Sequence, residues 1–285
     1  MKGRNHLLAS TILALSAVLF GSPAFAQIAF VKNIGATSTT TTGTSTSITV
    51  PASGVAVGNR IIVTLALNPS TGTVSCSDAG ANTYAVDRNV ANGSGTTGVR
   101  TVILSARVTT ALASGNAISC THPSVTARAL SASEFSGLAT SSTRDKVASA
   151  TGNNTSPSSG NTTTTVQASE LLIGGIGVEG PTSESFTAGT NYTTAGRAGT
   201  TGGTAANNIT VNPEYRIVSA TGAYSATGTL STTRRWAAAI ATYKAAPSSP
   251  TRLVITSVNS EPIRLPAWLF RSWFKLRTLA VARAM

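Results

Sequence analysis

Reactive side chains are sparse in this chain of 285 residues, and few are spaced for a recognisable chemistry. Past the first 26 residues a single histidine remains, His122, next to Pro123. A Ser-His-Asp system needs a positioned nucleophile, and no Gly-x-Ser-x-Gly elbow accompanies His122, so it reads as a strand-end or turn histidine. Glycoside hydrolysis asks less, only two carboxyl groups at a suitable separation. Glu134, Glu170, Glu179, Glu184 and Glu214 are the candidates, each at a strand boundary or in a loop. Asp78, Gly80 and Asn82 alternate as in a calcium loop. Calcium takes about six to eight oxygens, usually from several carboxylates, and this segment brings one, so a turn is the stronger reading and Asp78 with Asn82 a weak calcium candidate. Gly174-Gly175-Ile176-Gly177 lacks the Lys-Ser/Thr of a phosphate cradle, and no helix follows it. No cofactor is implied.

Two further groups carry weight. Cys76 and Cys120 are the two cysteines. Each lies in or beside a predicted strand, and in an exported chain they read as a disulfide. The bridge would close a loop of about 45 residues, worth on the order of 4 kcal/mol by chain entropy; two buried thiols are the alternative. Tyr84, Tyr192, Tyr215 and Tyr224 are the aromatic rings on which a sugar would stack, or else core and strand-pair residues.

The elements that must position these groups are strands. Arg60–Leu67 reads Arg-Ile-Ile-Val-Thr-Leu-Ala-Leu between Val57-Gly58-Asn59 and Asn68-Pro69. Ile61, Val63, Leu65 and Leu67 share one face, and Ile62, Thr64 and Ala66 the other, as in a strand of a packed sheet. Further strands are expected at 28–34, 47–50, 73–76, 83–88, 99–108, 116–121, 126–135, 170–178, 214–219, 223–230 and 234–244. The Thr/Ser tract at 37–46 fits an exposed strand or a loop. Residues 136–165 look like a long surface connection with an edge strand at 161–166, and 180–212 like a rim of polar loops. The three glycines of 170–178 call for a bulge or for close approach of another backbone. In the last segment Trp236, Ala238, Ile240 and Thr242 share a face; its four alanines also allow a helix, but the β context and the Thr-Tyr ending favour a strand.

Composition agrees. Hydrophobic residues make up 41% and charged residues 11%, too apolar for disorder and poor in charge for a cytosolic chain. The net charge of +12 overstates the folded part. Between Gln27 and Pro250 there are 13 basic and 8 acidic residues, a net of +5, scattered singly. Nucleic-acid binding needs a basic stripe, so it is excluded as a reading. Residues 1–26 carry a positive start (Lys2, Arg4), a short apolar run and Ala24-Phe25-Ala26, the pattern of a signal peptide cleaved before Gln27. The run falls short of the roughly 20 residues of a membrane span.

Five phrases in order carry a resemblance: Val57-Gly58-Asn59-Arg60-Ile61-Ile62-Val63, Asp78-Ala79-Gly80-Ala81-Asn82-Thr83-Tyr84, Glu134-Phe135-Ser136-Gly137-Leu138, Ser169-Glu170-Leu171-Leu172-Ile173-Gly174, and Arg216-Ile217-Val218-Ser219-Ala220-Thr221-Gly222-Ala223-Tyr224. Together they resemble a jelly-roll-like module near the N-terminus of large secreted bacterial surface proteins, where it precedes immunoglobulin-like or fibronectin-like repeats. The resemblance covers 27–246 and implies an all-β, antiparallel jelly-roll-like β-sandwich. Its phrases are turns and strands, and no functional residue carries over with them.

Beyond a linker at 247–250, residues 251–260 look like the first strand of such a repeat, cut short. Residues 261–285 then hold two of the three Trp and five basic residues, with hardly any Gly, Ser or Thr. With permitted codons, restoring one base after Ser260 regroups this stretch into a Gly/Asn/Pro turn and an apolar strand, so a reading-frame shift is expected. The rival reading is a basic amphipathic helix, with Leu265, Trp268, Leu269, Trp273 and Leu276 on one face, lying on a membrane surface. The functional expectation is an exported, non-catalytic module that binds an extracellular glycan or cell-surface component, or that caps a stalk of repeats; the alternative is a secreted glycan hydrolase.

Overall fold

The computed structural model describes residues 25–248. Nearly all of the expected leader, the 251–260 segment and the 261–285 tail lie outside the described residues.

Strand β3 (Arg60–Leu67) runs through the middle of a five-stranded antiparallel sheet, in the order β1 (Ala29–Thr39), β8 (Arg128–Ser136), β3, β6 (Thr97–Arg107), β5 (Tyr84–Ser94). Both of its faces are sealed, each against a different sheet. Ile61, Val63, Leu65 and Leu67 join Val102, Leu104 and Leu130 against Ile48, Val74, Ile118 and Cys120. The partner on that side is a three-stranded sheet, β2 (Gly43–Thr49), β7 (Ala117–Val125), β4 (Ser75–Asp78). On the other face Ile62, with Ile103 and Phe135, meets Leu171, Ile173, Ala239 and Tyr243. Those come from a second large sheet, in the order β12 (Thr193–Thr194), β14 (Ile209–Ser219), β10 (Ser169–Glu179), β16 (Arg234–Lys244), β9 (Arg144–Asn154), with β13 (Ala198–Gly199) also on β14. Each fully buried Leu or Ile contributes roughly 1.5–3 kcal/mol, so a strand buried on both faces anchors two cores at once. The outer face of the second sheet is covered in turn by the pair β11 (Phe186–Ala188) and β15 (Gly228–Leu230), whose Phe186 and Leu230 pack on Ile176, Val178 and Trp236.

The all-β antiparallel sandwich therefore stands. Within it β1 to β8 build the five- and three-stranded sheets, and the later strands build the second large sheet, so the chain finishes one half before starting the other.

The glycines of β10 have the role their spacing suggests. A Cβ on Gly177 would stand 2.2 Å from Thr101 Oγ1 and 3.0 Å from Val99 Cγ2, and one on Gly175 3.2 Å from Ile103 Cγ1. They let the large sheets close up, and the alanines of β16 do the same opposite β6, so that the Thr101 hydroxyl donates across the interface to the Ala237 carbonyl at 2.8 Å. The final segment is a strand, with Trp236, Ala238, Ile240 and Thr242 on its outward face.

Of the strand expected at 223–230 only Gly228–Leu230 forms, and two further expectations fail. The connection at 136–165 contains β9, an eleven-residue strand, and the edge strand expected at 161–166 does not form. β9 pairs only with β16, is half-buried along most of its length, and supplies Ala148, Ala150 and a glycine that sits under the Trp236 ring. An edge strand that covers a neighbour with small residues has no apolar run to betray it. The Thr/Ser tract resolves into the end of β1 and the start of β2, folded at Thr40–Thr42 from one layer to the next. Arg128 fills that corner: its guanidinium donates to Thr46 Oγ1 and to the carbonyls of Thr41, Val125, Thr126 and Ser45. The polar rim at 180–212 contains β11 to β13, a 3-10 turn at Ala205–Asn207 and the start of β14.

Candidate functional site

The residues singled out in the sequence do not converge on one surface. Cys76 and Cys120 are directly opposed on β4 and β7 and form a disulfide. Asp78 closes the turn that follows β4. Its Oδ1 accepts from the backbone N–H of Gly80 and Asn82, and its Oδ2 from the Tyr84 hydroxyl at 2.9 Å, while the Asn82 amide donates to both oxygens. Asn82 Oδ1 accepts from Thr109 and Thr110 N–H. The two weak calcium candidates thus spend their oxygens on protein donors. His122 is buried, with Nδ1 on the Pro123 carbonyl and Nε2 on Thr46 Oγ1, and burial lowers its proton affinity.

The four tyrosines are packing residues. Tyr84 lies against the core between the five- and three-stranded sheets, and burial raises its phenol pKa. Tyr215 stacks on Phe30, rings 4.9 Å apart and nearly parallel, with Phe135 edge-on to both. Tyr192 and Tyr224 pack on the outer face of the second large sheet, with hydroxyls donated to the carbonyls of Ser225 and Ala220. A sugar platform built on these rings is not what the structure presents, because each ring has a protein partner.

The five glutamates are dispersed as well. Glu170 is fully buried in the centre of the second large sheet, between Val218 and Lys244. Neither of its oxygens meets a well-formed hydrogen bond, Thr242 and Asp145 are its polar neighbours, and burial pushes its pKa up to about 7. Glu214 is also fully buried, accepts from the N–H of Gly189 and Thr227, and is pushed to about 7 by the same cause. Glu179 accepts from Gly98 N–H and lies 3.7 Å from Arg235 Nε; Glu184 is paired with Arg234. Glu134 bridges Lys32 and Asn59.

What the structure does assemble is a cleft of about 590 Å³ at one end of the layers. Thr40 from the β1–β2 fold, Asn68 after β3, Thr96 at the β5–β6 tip, Thr126 at the β7–β8 corner, and Thr201, Gly202, Gly203 and Asn207 from the loop before β14 line it. A second cleft of about 410 Å³ lies beyond the β5–β6 tip, lined by Pro69, Ser70, Thr71, Ala91, Gly93, Ser94 and Gly95. Every lining residue of both is uncharged. The loops are held from beneath. Asn68 Oδ1 accepts from Ala127 N–H at 2.7 Å, and buried Arg100 donates to the carbonyls of Ser70 and Gly72. Such a wall offers hydroxyl and amide groups on a fixed frame, and its size lies within the roughly 300–1,000 Å³ of small-molecule sites. Local sequence patterns miss it because its residues come from five separate loops of the chain.

Among the described residues no three His, Cys, Asp or Glu side chains gather as a metal site, and no helix is long and apolar enough to cross a membrane. Comparison with protein-family models, with curated proteins and with solved structures finds no match to this chain.

Proposed function

We propose that this chain is an exported, non-catalytic binding module of a bacterial surface or secreted protein, and that its loop-end cleft takes a neutral extracellular glycan. One observation carries the reading: the cleft is walled by Thr, Asn and Gly alone, with no ionisable side chain. A sugar displaces water from such a wall hydroxyl for hydroxyl, whereas a charged ligand would find no counter-charge. With no aromatic platform among the lining residues, the affinity is modest and rests on hydrogen bonds. The disulfide supports an oxidising compartment. The hydrolase alternative draws no support from the cleft, since none of its lining residues is a carboxylate.

A glycan array probed with the wild-type chain tests the reading, with Thr126→Arg as a blocking variant. The expected result is binding of one class of neutral glycan that Thr126→Arg abolishes without changing thermal stability. No binding across the array, or binding untouched by the variant, overturns it.

A further inference from the structure

On the face of the five-stranded sheet that meets the three-stranded one, an amine, a carboxyl and a carboxamide come together. β8 lies between β1 and β3, and the register sets Glu134 directly opposite Lys32 on one side and Ile61 on the other. Asn59 is two residues before Ile61, so side-chain alternation puts it on that same face. Glu134 is 1% exposed and Lys32 21%. Lys32 Nζ lies 3.1 Å from Glu134 Oε2, and Asn59 Nδ2 lies 2.6 Å from Glu134 Oε1. Glu134 Oε1 also accepts from Ala56 N–H at 2.9 Å, which fixes the carboxyl plane. Lys32 Nζ is held further by Ser53 Oγ at 2.9 Å and by the Gly54 carbonyl, and the Asn59 backbone by its carbonyl, which accepts from Val108 N–H.

We propose that Lys32 and Asn59 become joined by an amide bond, with Glu134 as the general acid-base that makes it. A lone ion pair would need neither the carboxamide on the second oxygen nor the loop that clasps the amine. Here a nucleophile and a leaving nitrogen sit on the two oxygens of one buried carboxyl, within the reach that proton transfer requires. Glu134 Oε2, 3.1 Å from Lys32 Nζ, takes a proton from the Lys32 ammonium. The free amine attacks Asn59 Cγ, forming the Nζ–Cγ bond. The Glu134 carboxyl, carrying that proton on Oε1 after exchange between its oxygens, gives it to Nδ2 and takes a second one from Nζ at Oε2; the Cγ–Nδ2 bond breaks, and ammonia leaves. Of the three ammonium protons and two amide protons, one stays on the new amide and three leave as ammonia. The fifth rests on Glu134 or departs on ammonium. No oxidant or co-reactant is needed. The bond would tie β1, an edge strand of its sheet, to the entry of β3 across β8.

The test is a tryptic map of the full chain produced by export from a bacterial host. In this sequence trypsin should cut after Lys32 and after Arg60. A bridged Lys32 is not cut, so one internally bridged peptide ending at Arg60, lighter by one ammonia, is expected in place of two. A mature N-terminal Gln27 can also lose ammonia by cyclising, but that leaves Lys32 cleavable, so the peptide map decides and the intact mass does not. Glu134→Gln should restore cleavage after Lys32. Should that variant fail to fold, Lys32→Arg keeps the positive charge beside Glu134 and should show cleavage after residue 32 and a 33–60 peptide at its unmodified mass. Complete cleavage after Lys32 in the wild-type chain, with the 33–60 peptide at its unmodified mass, overturns the proposal.

Discussion

Glu170→Gln should stabilise this protein at alkaline pH, although it alters a fully buried residue in a central strand. The wild-type carboxyl is pushed from an ordinary 4.5 to about 7, chiefly by burial, with Thr242 pulling the other way and the neighbouring Asp145 carboxylate adding to the rise. Between those two values the folded chain holds a proton that the unfolded chain has released. Stability therefore falls as pH rises through that window and is greatest below it. At 1.36 kcal/mol per tenfold change in proton affinity, the loss by pH 8 is on the order of 3 kcal/mol. Glutamine copies the protonated acid in shape, and its amide can donate to Asp145, whose Oδ2 already accepts from Val166 N–H at 2.7 Å. The variant should match wild type near pH 4.5 and exceed it by roughly 2–3 kcal/mol at pH 8, about 5–10 °C in Tm for a domain of this size. Thermal denaturation of both proteins at half-unit steps from pH 4.5 to 8 is the assay. The difference between them is the readout, because burial of His122 contributes a slope of the opposite sign below its ordinary 6.5. A variant no more stable than wild type at pH 8, or a difference independent of pH, would refute the idea that Glu170 is a sealed, proton-holding carboxyl.

Other perturbations have equally definite outcomes. Reducing Cys76–Cys120, or replacing both with alanine, should cost on the order of 4 kcal/mol, seen as a lower Tm in reductant for wild type alone. Gly177→Ala places a methyl against Thr101 Oγ1 and Val99, and should cost roughly 1–3 kcal/mol in denaturant titration. Trp236→Ala empties a pocket lined by Ile176, Val178 and Leu230 and removes the indole N–H bond to Asn154 Oδ1, for about 3–5 kcal/mol by the same measurement. Glu214→Gln should behave unlike Glu170→Gln. It sets an amide donor against the N–H of Gly189 or Thr227, so it should destabilise at pH 4.5 by about 1–3 kcal/mol while flattening the pH dependence.

Much of the framework was legible in the residues. Period-two alternation over 60–67 and 234–244 is a direct consequence of the pleat, and with the apolar run at 170–178 it located the three strands that carry the cores. Three glycines in an apolar run foretold close approach, because only a missing Cβ admits a facing sheet. The disulfide followed from two cysteines beside strands. Other features needed the third dimension. β9 is defined by what it covers, and its small residues have no pattern apart from Trp236. The tyrosines look like sugar platforms along the chain, and only packing shows that each already has a partner. The cleft gathers loop tips from Thr40 to Asn207, and the Lys32–Glu134–Asn59 cluster depends on β8 lying between β1 and β3. A strand's own alternation says which face a side chain takes; which strands lie beside it is decided by the burial of every sheet together, and that is what sets Glu134 between Lys32 and Asn59.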